Sequence, residues 1–146
     1  MKLSTKSRYG LRIIVQIALD RLNGKNLSQG RTISAKQEIT DAYLEQIMIP
    51  LKRGGVIGTV RGCNGGYQLR KNLEDVTVLE VIELFEGEIN LADCVRGNEK
   101  CHRTEKCPTL GVWQHLAKVI RKEAGAITLA SIIEDYQKNA SNDYII

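Results

Sequence analysis

The stretch "VIGTVRGCNGGYQLR", residues 56–70, leaves this chain few ways to fold. Val56, Ile57, Thr59 and Val60 favour a pleated strand, and "YQLR" alternates as a second one. Between them Gly62, Asn64, Gly65 and Gly66 break the chain. Two short strands around such a turn make a β-hairpin, and its tip carries Arg61 and Gly62.

The segments before the hairpin have helical periodicity. In "KSRYGLRIIVQIALDRL" Tyr9, Ile13, Ile14, Ile17, Ala18 and Leu22 recur at helical spacing, Ser4-Thr5 supplies an N-cap signal, and Asn23-Gly24 ends the helix. "NLSQGRTISAKQ" reads as a short helix weakened by Gly30. Glu38-Ile39-Thr40 makes a turn, and Thr40 or Asp41 caps "AYLEQIMIPLKRGG". Leu44, Ile47, Met48 and Leu51 form one face of that helix, Pro50 is a candidate kink, and Gly54-Gly55 stops it. Helix, helix, turn, helix, hairpin is the order of a winged helix-turn-helix.

After the hairpin, "TVLEVIELFEG" is an amphipathic helix capped by Thr77, with Glu80 three residues on as in a capping box. Val112, Trp113, Leu116, Val119 and Ile120 mark a long helix, about residues 109–125. Thr128 caps a last short one, and the final ten residues, polar apart from Ile145-Ile146, are expected to fray. The predicted fold is mainly α with a small β-hairpin: a winged helix-turn-helix over residues 1–75, a connecting helix and cysteine loop over 76–108, and a dimerisation helix with a C-terminal helix over 109–146.

Charge divides the chain. Residues 1–71 hold thirteen Lys/Arg against four Asp/Glu, whereas 72–146 hold eight against thirteen. A basic first half and an acidic second half point to a polyanion-binding head and a differently employed tail. The apolar content of 42% allows a real core. No N-terminal apolar h-region and no apolar run near twenty residues is found, which argues against secretion and against a membrane span. The expected compartment is the cytoplasm, where thiols stay reduced. No dinucleotide glycine motif and no acid/base constellation is present, so an enzyme or electron carrier is not expected.

Three cysteines, Cys94, Cys101 and Cys107, then fall within "CVRGNEKCHRTEKC". Six residues separate the first two and five the last two. Structural zinc sites use closer C-x₂₋₄-C pairs, and a thioredoxin-like site needs C-x-x-C. A wide thiolate loop suits a larger inorganic core such as an iron–sulfur cluster, normally held by four ligands. Arg96, Lys100, Arg103 and Lys106 would lower thiol pKa and offset a negative cluster. Free surface thiols, open to oxidation, are the alternative. Cys63, alone at the hairpin tip, is not counted as a ligand.

"MKLSTKSRYGLR", "YLEQIMIPLKRGGVIGTVRGCNGGYQL" and the three-cysteine loop before "GVWQHL" resemble the IscR-type family of winged-helix regulators. That family includes iron–sulfur biogenesis regulators, the nitric-oxide-responsive NsrR branch and the cysteine-metabolism CymR branch. The resemblance runs from Met1 to about Tyr136. It implies a homodimeric DNA-binding transcription regulator, a repressor, on a pseudo-palindromic operator, sensing cluster status, iron, redox or nitric oxide. A cluster-free thiol-redox or cysteine-metabolism regulator of the same fold is the alternative.

Major-groove readout needs polar side chains on the exposed face at a helix N-terminus. Asp41, Ala42, Tyr43, Glu45 and Gln46 are candidates for that face, and the resemblance implies that it contacts bases. Gln46 can present a donor and an acceptor to one base, and Glu45 can accept from a cytosine amino group but repels phosphates if misplaced; the alternative is that both merely solvate the helix. Arg61 with Gly62 suits a narrow minor groove, with an incidental surface Arg as the alternative. Lys2, Thr5, Lys6 and Arg8 could hold phosphates, as could Lys52, Arg53 and Arg70.

The resemblance assigns Cys94, Cys101 and Cys107 to the cluster, with 2Fe-2S preferred to 4Fe-4S. Leu110 stands where the biogenesis regulators carry a histidine ligand, and Arg8 where the nitric-oxide branch carries an acidic one. The fourth ligand is left among His102, Asp93, Glu99, Glu105, a water or a small thiol.

Overall fold

The computed structural model describes residues 2–95 and 101–142. Helix α1, Thr5–Leu22, starts where Ser4 accepts a hydrogen bond from the Ser7 backbone N–H at 3.2 Å. It carries Ile13, Ile14, Ile17 and Ala18 into the core. Helix α2, Gly30–Gln37, is shorter than the periodic stretch around it because Ser28 is drawn into other bonds. The Ser28 hydroxyl donates to the buried Asp20 carboxylate at 2.8 Å, and its backbone exchanges two bonds of 2.9 Å with Tyr67. Glu38, the C-cap of α2, turns the chain in the left-handed region at φ 55°, the single non-glycine residue at positive φ among the described residues.

Helix α3, Asp41–Arg53, is capped by Thr40, which accepts from the Tyr43 N–H at 3.2 Å. Leu44, Ile47, Met48 and Leu51 are buried along one side. Pro50 lies within this helix but near its end, where one missing N–H costs a single interior bond. Strands β1, Ile57–Val60, and β2, Gly66–Leu69, pair antiparallel with Thr59 opposite Tyr67. A Cβ on Gly66 would lie 2.6 Å from the Ser28 carbonyl, so only glycine admits the close approach of the 28–29 backbone.

Helix α4, Val78–Glu86, is capped by Thr77, which accepts from the Glu80 N–H at 3.1 Å. The reciprocal half of the expected capping box is not formed, because the Glu80 carboxylate pairs with Lys71 instead. α4 crosses α1 closely: a Cβ on Gly10 would meet the Phe85 ring at 2.5 Å. Two single 3-10 turns, Asp93–Val95 and Thr104–Lys106, flank the undescribed part of the cysteine loop. Helix α5 spans Leu110–Ala126 and helix α6 spans Leu129–Asn142.

The last helix corrects an expectation. It is not short, and the fraying foreseen for the final ten residues does not hold for 137–142, which continue α6; Ile145-Ile146 lie outside the described residues. Leu129 and Ile133 anchor this helix in the same core as α1 and α3, and burial of that end supports the polar turns beyond it. No helix among the described residues is long and apolar enough to cross a membrane.

Candidate nucleic-acid interface

The side of α3 opposite the core presents Ala42, Glu45, Gln46 and Ile49 to solvent. The hairpin tip, Arg61 to Asn64, is exposed as well, with Gly62 at φ +118°. Between helix and hairpin lies a cleft of about 430 Å³, lined among others by Asp41, Glu45, Arg61, Gly62 and Tyr67. Arg61 and Gly62 thus flank the same cleft as the first turns of α3. Gln46, one residue beyond Glu45, keeps its amide on the exposed face.

Three of the polar residues of α3 have protein partners. Asp41 accepts from the Ser34 hydroxyl, fastening α2 to α3 across the turn. Tyr43 is half-buried and packs edge-on against Tyr9 at 6.1 Å, so its ring braces α3 against α1. Glu45 accepts from the phenol of Tyr67 and lies 4.0 Å from the Lys52 ammonium. Burial first, then the hydrogen bond and charge of Glu45, push the Tyr67 phenol well above its usual range. Tyr67 therefore stays a protonated donor at any physiological pH. Sequence reading passed over this tyrosine. Its signal is its place in "YQLR": an inward-facing Tyr on a half-buried strand needs a partner for its hydroxyl.

Lys2, Thr5 and Lys6 are exposed around the start of α1. Arg8 is exposed and turned back to Thr5 Oγ1 at 3.4 Å. Glu86, at the end of α4, accepts from the Ser4 N–H at 2.9 Å and the Ser7 hydroxyl at 2.7 Å, which lower its pKa and fix the direction in which α1 begins. Lys52, Arg53 and Arg70 are exposed; Arg70 folds across Gly58 rather than extending along the hairpin.

The four cysteines are free: Cys63 and Cys101 exposed, Cys94 and Cys107 partly so. Among the described residues no three His, Cys, Asp or Glu side chains converge closely enough to hold a metal ion. Arg96, Glu99 and Lys100 lie outside the described residues. His102, Asp93 and Glu105 are exposed on the loop. The donor set fits a thiophilic group in its chemistry: three sulfurs, none in a disulfide and none buried. The Cys107 thiol is depressed, first by its hydrogen bond with the Thr109 hydroxyl at 3.4 Å, then by backbone N–H groups opening α5, and least by Arg103. Of the four basic residues expected to act on the thiols, Arg103 is the smallest of these causes at Cys107; Thr109, unforeseen, is the largest.

Comparison with known proteins agrees with this geometry. Residues 3–135 match the Rrf2 family, described as iron-dependent transcriptional regulators. Protein rrf2 of Nitratidesulfovibrio vulgaris is 33% identical over 97% of this chain and 95% of its own length. Among solved structures, T. potens IscR superposes with a TM-score of 0.75 at 27% identity, covering 95% of this chain and 90% of that one. CymR, the global cysteine regulator of B. subtilis, superposes at 0.73 with 26% identity, covering 92% and 97%. A winged helix-turn-helix head, an exposed α3 face beside the hairpin tip, and matches along nearly the whole chain place this protein in the Rrf2 family of transcriptional regulators.

Proposed function

We propose that this chain is a homodimeric repressor that grips a pseudo-palindromic operator with α3 and the hairpin, and reports iron–sulfur cluster status through Cys94, Cys101 and Cys107. The observation that carries the DNA half is the cleft that the first turns of α3, at Asp41, Leu44 and Glu45, share with the Arg61–Gly62 tip, with Gln46 exposed on the same helix. In this reading α3 enters the major groove, where Gln46 offers a donor and an acceptor to one base. Arg61 enters the adjacent minor groove. Lys2, Lys6 and Thr5 hold phosphates, together with the free N–H groups that open α1. Asp41 and Tyr43 act by fixing α3 on α2 and α1.

Dimerisation is supported by α5. Val112, Trp113, Leu116 and Val119 are each between 38% and 50% exposed on one helix, an apolar stripe that a second copy would bury. A two-fold dimer sets two recognition helices about 34 Å apart, one turn of DNA.

The three cysteines would hold the cluster as thiolates, and Thr109 with the backbone N–H groups opening α5 shifts Cys107 toward that form. When bound, a cluster supplies iron that reacts with oxidants and nitric oxide. Its type in this reading is 2Fe-2S rather than 4Fe-4S, and the fourth ligand comes from His102, an acidic loop residue or outside the chain. The likeness to CymR favours one second reading, a cluster-free regulator whose thiols sense oxidants or whose partner enzyme senses cysteine supply.

Anaerobic purification with iron and sulfide counting and electron paramagnetic resonance decides between them. The cluster reading expects bound iron and sulfide that Cys→Ala at 94, 101 or 107 removes without unfolding the chain. Colourless protein that still binds operator in a thiol-dependent way selects the second reading.

A further inference from the structure

The carboxylate on the exposed face of α3 is not a freely moving side chain. Glu45 has its side chain 58% exposed, yet one oxygen accepts from the Tyr67 phenol and the other lies 4.0 Å from Lys52 Nζ. Lys52, two helical turns further on, also sits over the Tyr67 ring at 6.0 Å. Tyr67 is itself immobilised. It is 6% exposed, is bonded through both its backbone groups to Ser28, and is paired with Thr59 across the hairpin. Its ring lies against Gly30, where an added Cβ would be 3.5 Å away.

On a surface that meets phosphates, a mobile carboxylate repels DNA wherever it swings. A carboxylate held in one place can instead be matched to one donor. Among base edges in the major groove, the cytosine N4 amine is the donor suited to a lone carboxylate oxygen. Tyr67 takes up one Glu45 oxygen, Lys52 tempers its charge, and the remaining acceptor capacity stays beside the cleft shared with Arg61.

We propose that Tyr67 is a positioning residue for sequence readout: it holds the Glu45 carboxylate in one orientation so that its other oxygen accepts from the N4 amine of a single cytosine in each half-site. The proposal rests on the reading of α3 as the major-groove helix. It makes the hairpin part of base recognition by α3, through a tyrosine that does not itself reach the DNA.

Selection of sites from a randomised duplex library by the full-length protein tests it, with wild type, Tyr67→Phe, Glu45→Ala and the double variant compared position by position. The expected result is one half-site position where wild type prefers cytosine. Tyr67→Phe and Glu45→Ala each weaken that preference about tenfold. The double variant weakens it no further than the stronger single one. The slope of affinity against salt, which counts phosphate contacts, stays that of wild type for Tyr67→Phe. Loss spread evenly over all positions, additive losses, or an untouched cytosine preference each overturns the proposal. Where Tyr67→Phe does not fold by thermal unfolding, Glu45→Ala on its exposed helix face decides alone, and an unchanged preference is fatal. A wild type that selects no sequence removes the DNA-reading role of α3 and this proposal together. A wild-type operator that both variants leave intact removes this proposal only.

Discussion

Gln16 on α1 and Gln37 on α2 are 7% and 8% exposed and face each other inside the head. The Gln37 amide donates to Gln16 Oε1 at 2.8 Å. The remaining two amide atoms, Gln16 Nε2 and Gln37 Oε1, find no partner among the described residues. Each orphaned atom costs about 1–3 kcal/mol, and the bond itself returns about 1 kcal/mol. Converting both residues to Met, which is similar in length and adaptable in shape, removes both orphans and one bond. With about 1.5 kcal/mol per orphan the double variant gains about 2 kcal/mol. Gln16→Met alone does the reverse: it breaks the bond and leaves both amide atoms of Gln37 unpaired, a loss of about 1 kcal/mol. Gln37→Met mirrors it. At this chain length 2 kcal/mol raises Tm by about 4–8 °C. Urea unfolding followed by circular dichroism, at one fixed protein concentration because association would add to stability, measures all four proteins. The expected outcome is two destabilised single variants and one stabilised double variant, with unchanged m. A double variant no more stable than wild type, or single variants that both gain, would refute the reasoning.

Glu38→Gly relieves the left-handed backbone at φ 55°, worth about 1–2 kcal/mol, less about 0.4–1 kcal/mol for the freer unfolded chain; thermal unfolding should show a small net gain, and a lower Tm contradicts it. Glu86, with its folded pKa below the ordinary 4.5, contributes stability that is complete above that value and fades as pH falls through the lower folded value. Unfolding curves from pH 6 to about pH 3 should therefore show Glu86→Gln less stable than wild type at the top of the range and the gap closing at the bottom, whereas a gap constant with pH argues against the ion-assisted anchor.

The helices and hairpin of the head were legible because each has a local signature. Ser4, Thr40 and Thr77 cap where their residue type foretells. Leu44, Ile47, Met48 and Leu51 bury as their spacing requires. The chain-breaking Gly62, Asn64, Gly65 and Gly66 fall between β1 and β2, apart from Gly66, which opens β2. Long-range pairings left no such mark. Nothing in "YLEQ" announces that Glu45 answers to a tyrosine twenty-two residues later. Glu80 satisfied a local pattern and was taken by Lys71, because an ion pair to the segment after the hairpin competes with the backbone N–H. α6 looked short because periodicity weighs its polar second half against it, while Leu129 and Ile133 are held by α1 and the core.

The same long-range pairings set how the cysteine loop and the head are joined. α5 has 17 residues, a rod about 25 Å long. Cys107 stands just before its first turn, and the bonds that tie the rod to the head gather in its second half. Arg121 pairs with Glu83 on α4 and lies 3.3 Å from Glu88. Beyond the helix, the Val78 N–H donates to the Ile127 carbonyl at 2.9 Å and the Leu129 N–H to the Val76 carbonyl at 2.8 Å. Glu83 also accepts from the Ile89 N–H, so it fastens both the exit of α4 and the flank of α5. The next two residues of α4 are Leu84 and Phe85. Leu84 covers Gly54 at the end of α3, and Phe85 covers Gly10 of α1, each so closely that a methyl group would not fit. A tilt of α5 begun at its cysteine end would load Glu83 first, then a neighbouring pair of side chains wedged against α3 and α1. Packed contacts of this kind have little slack to absorb a displacement. On the proposed function, a packed connection between the cysteine-bearing end of the chain and α3 therefore runs through residues 83–85 of α4.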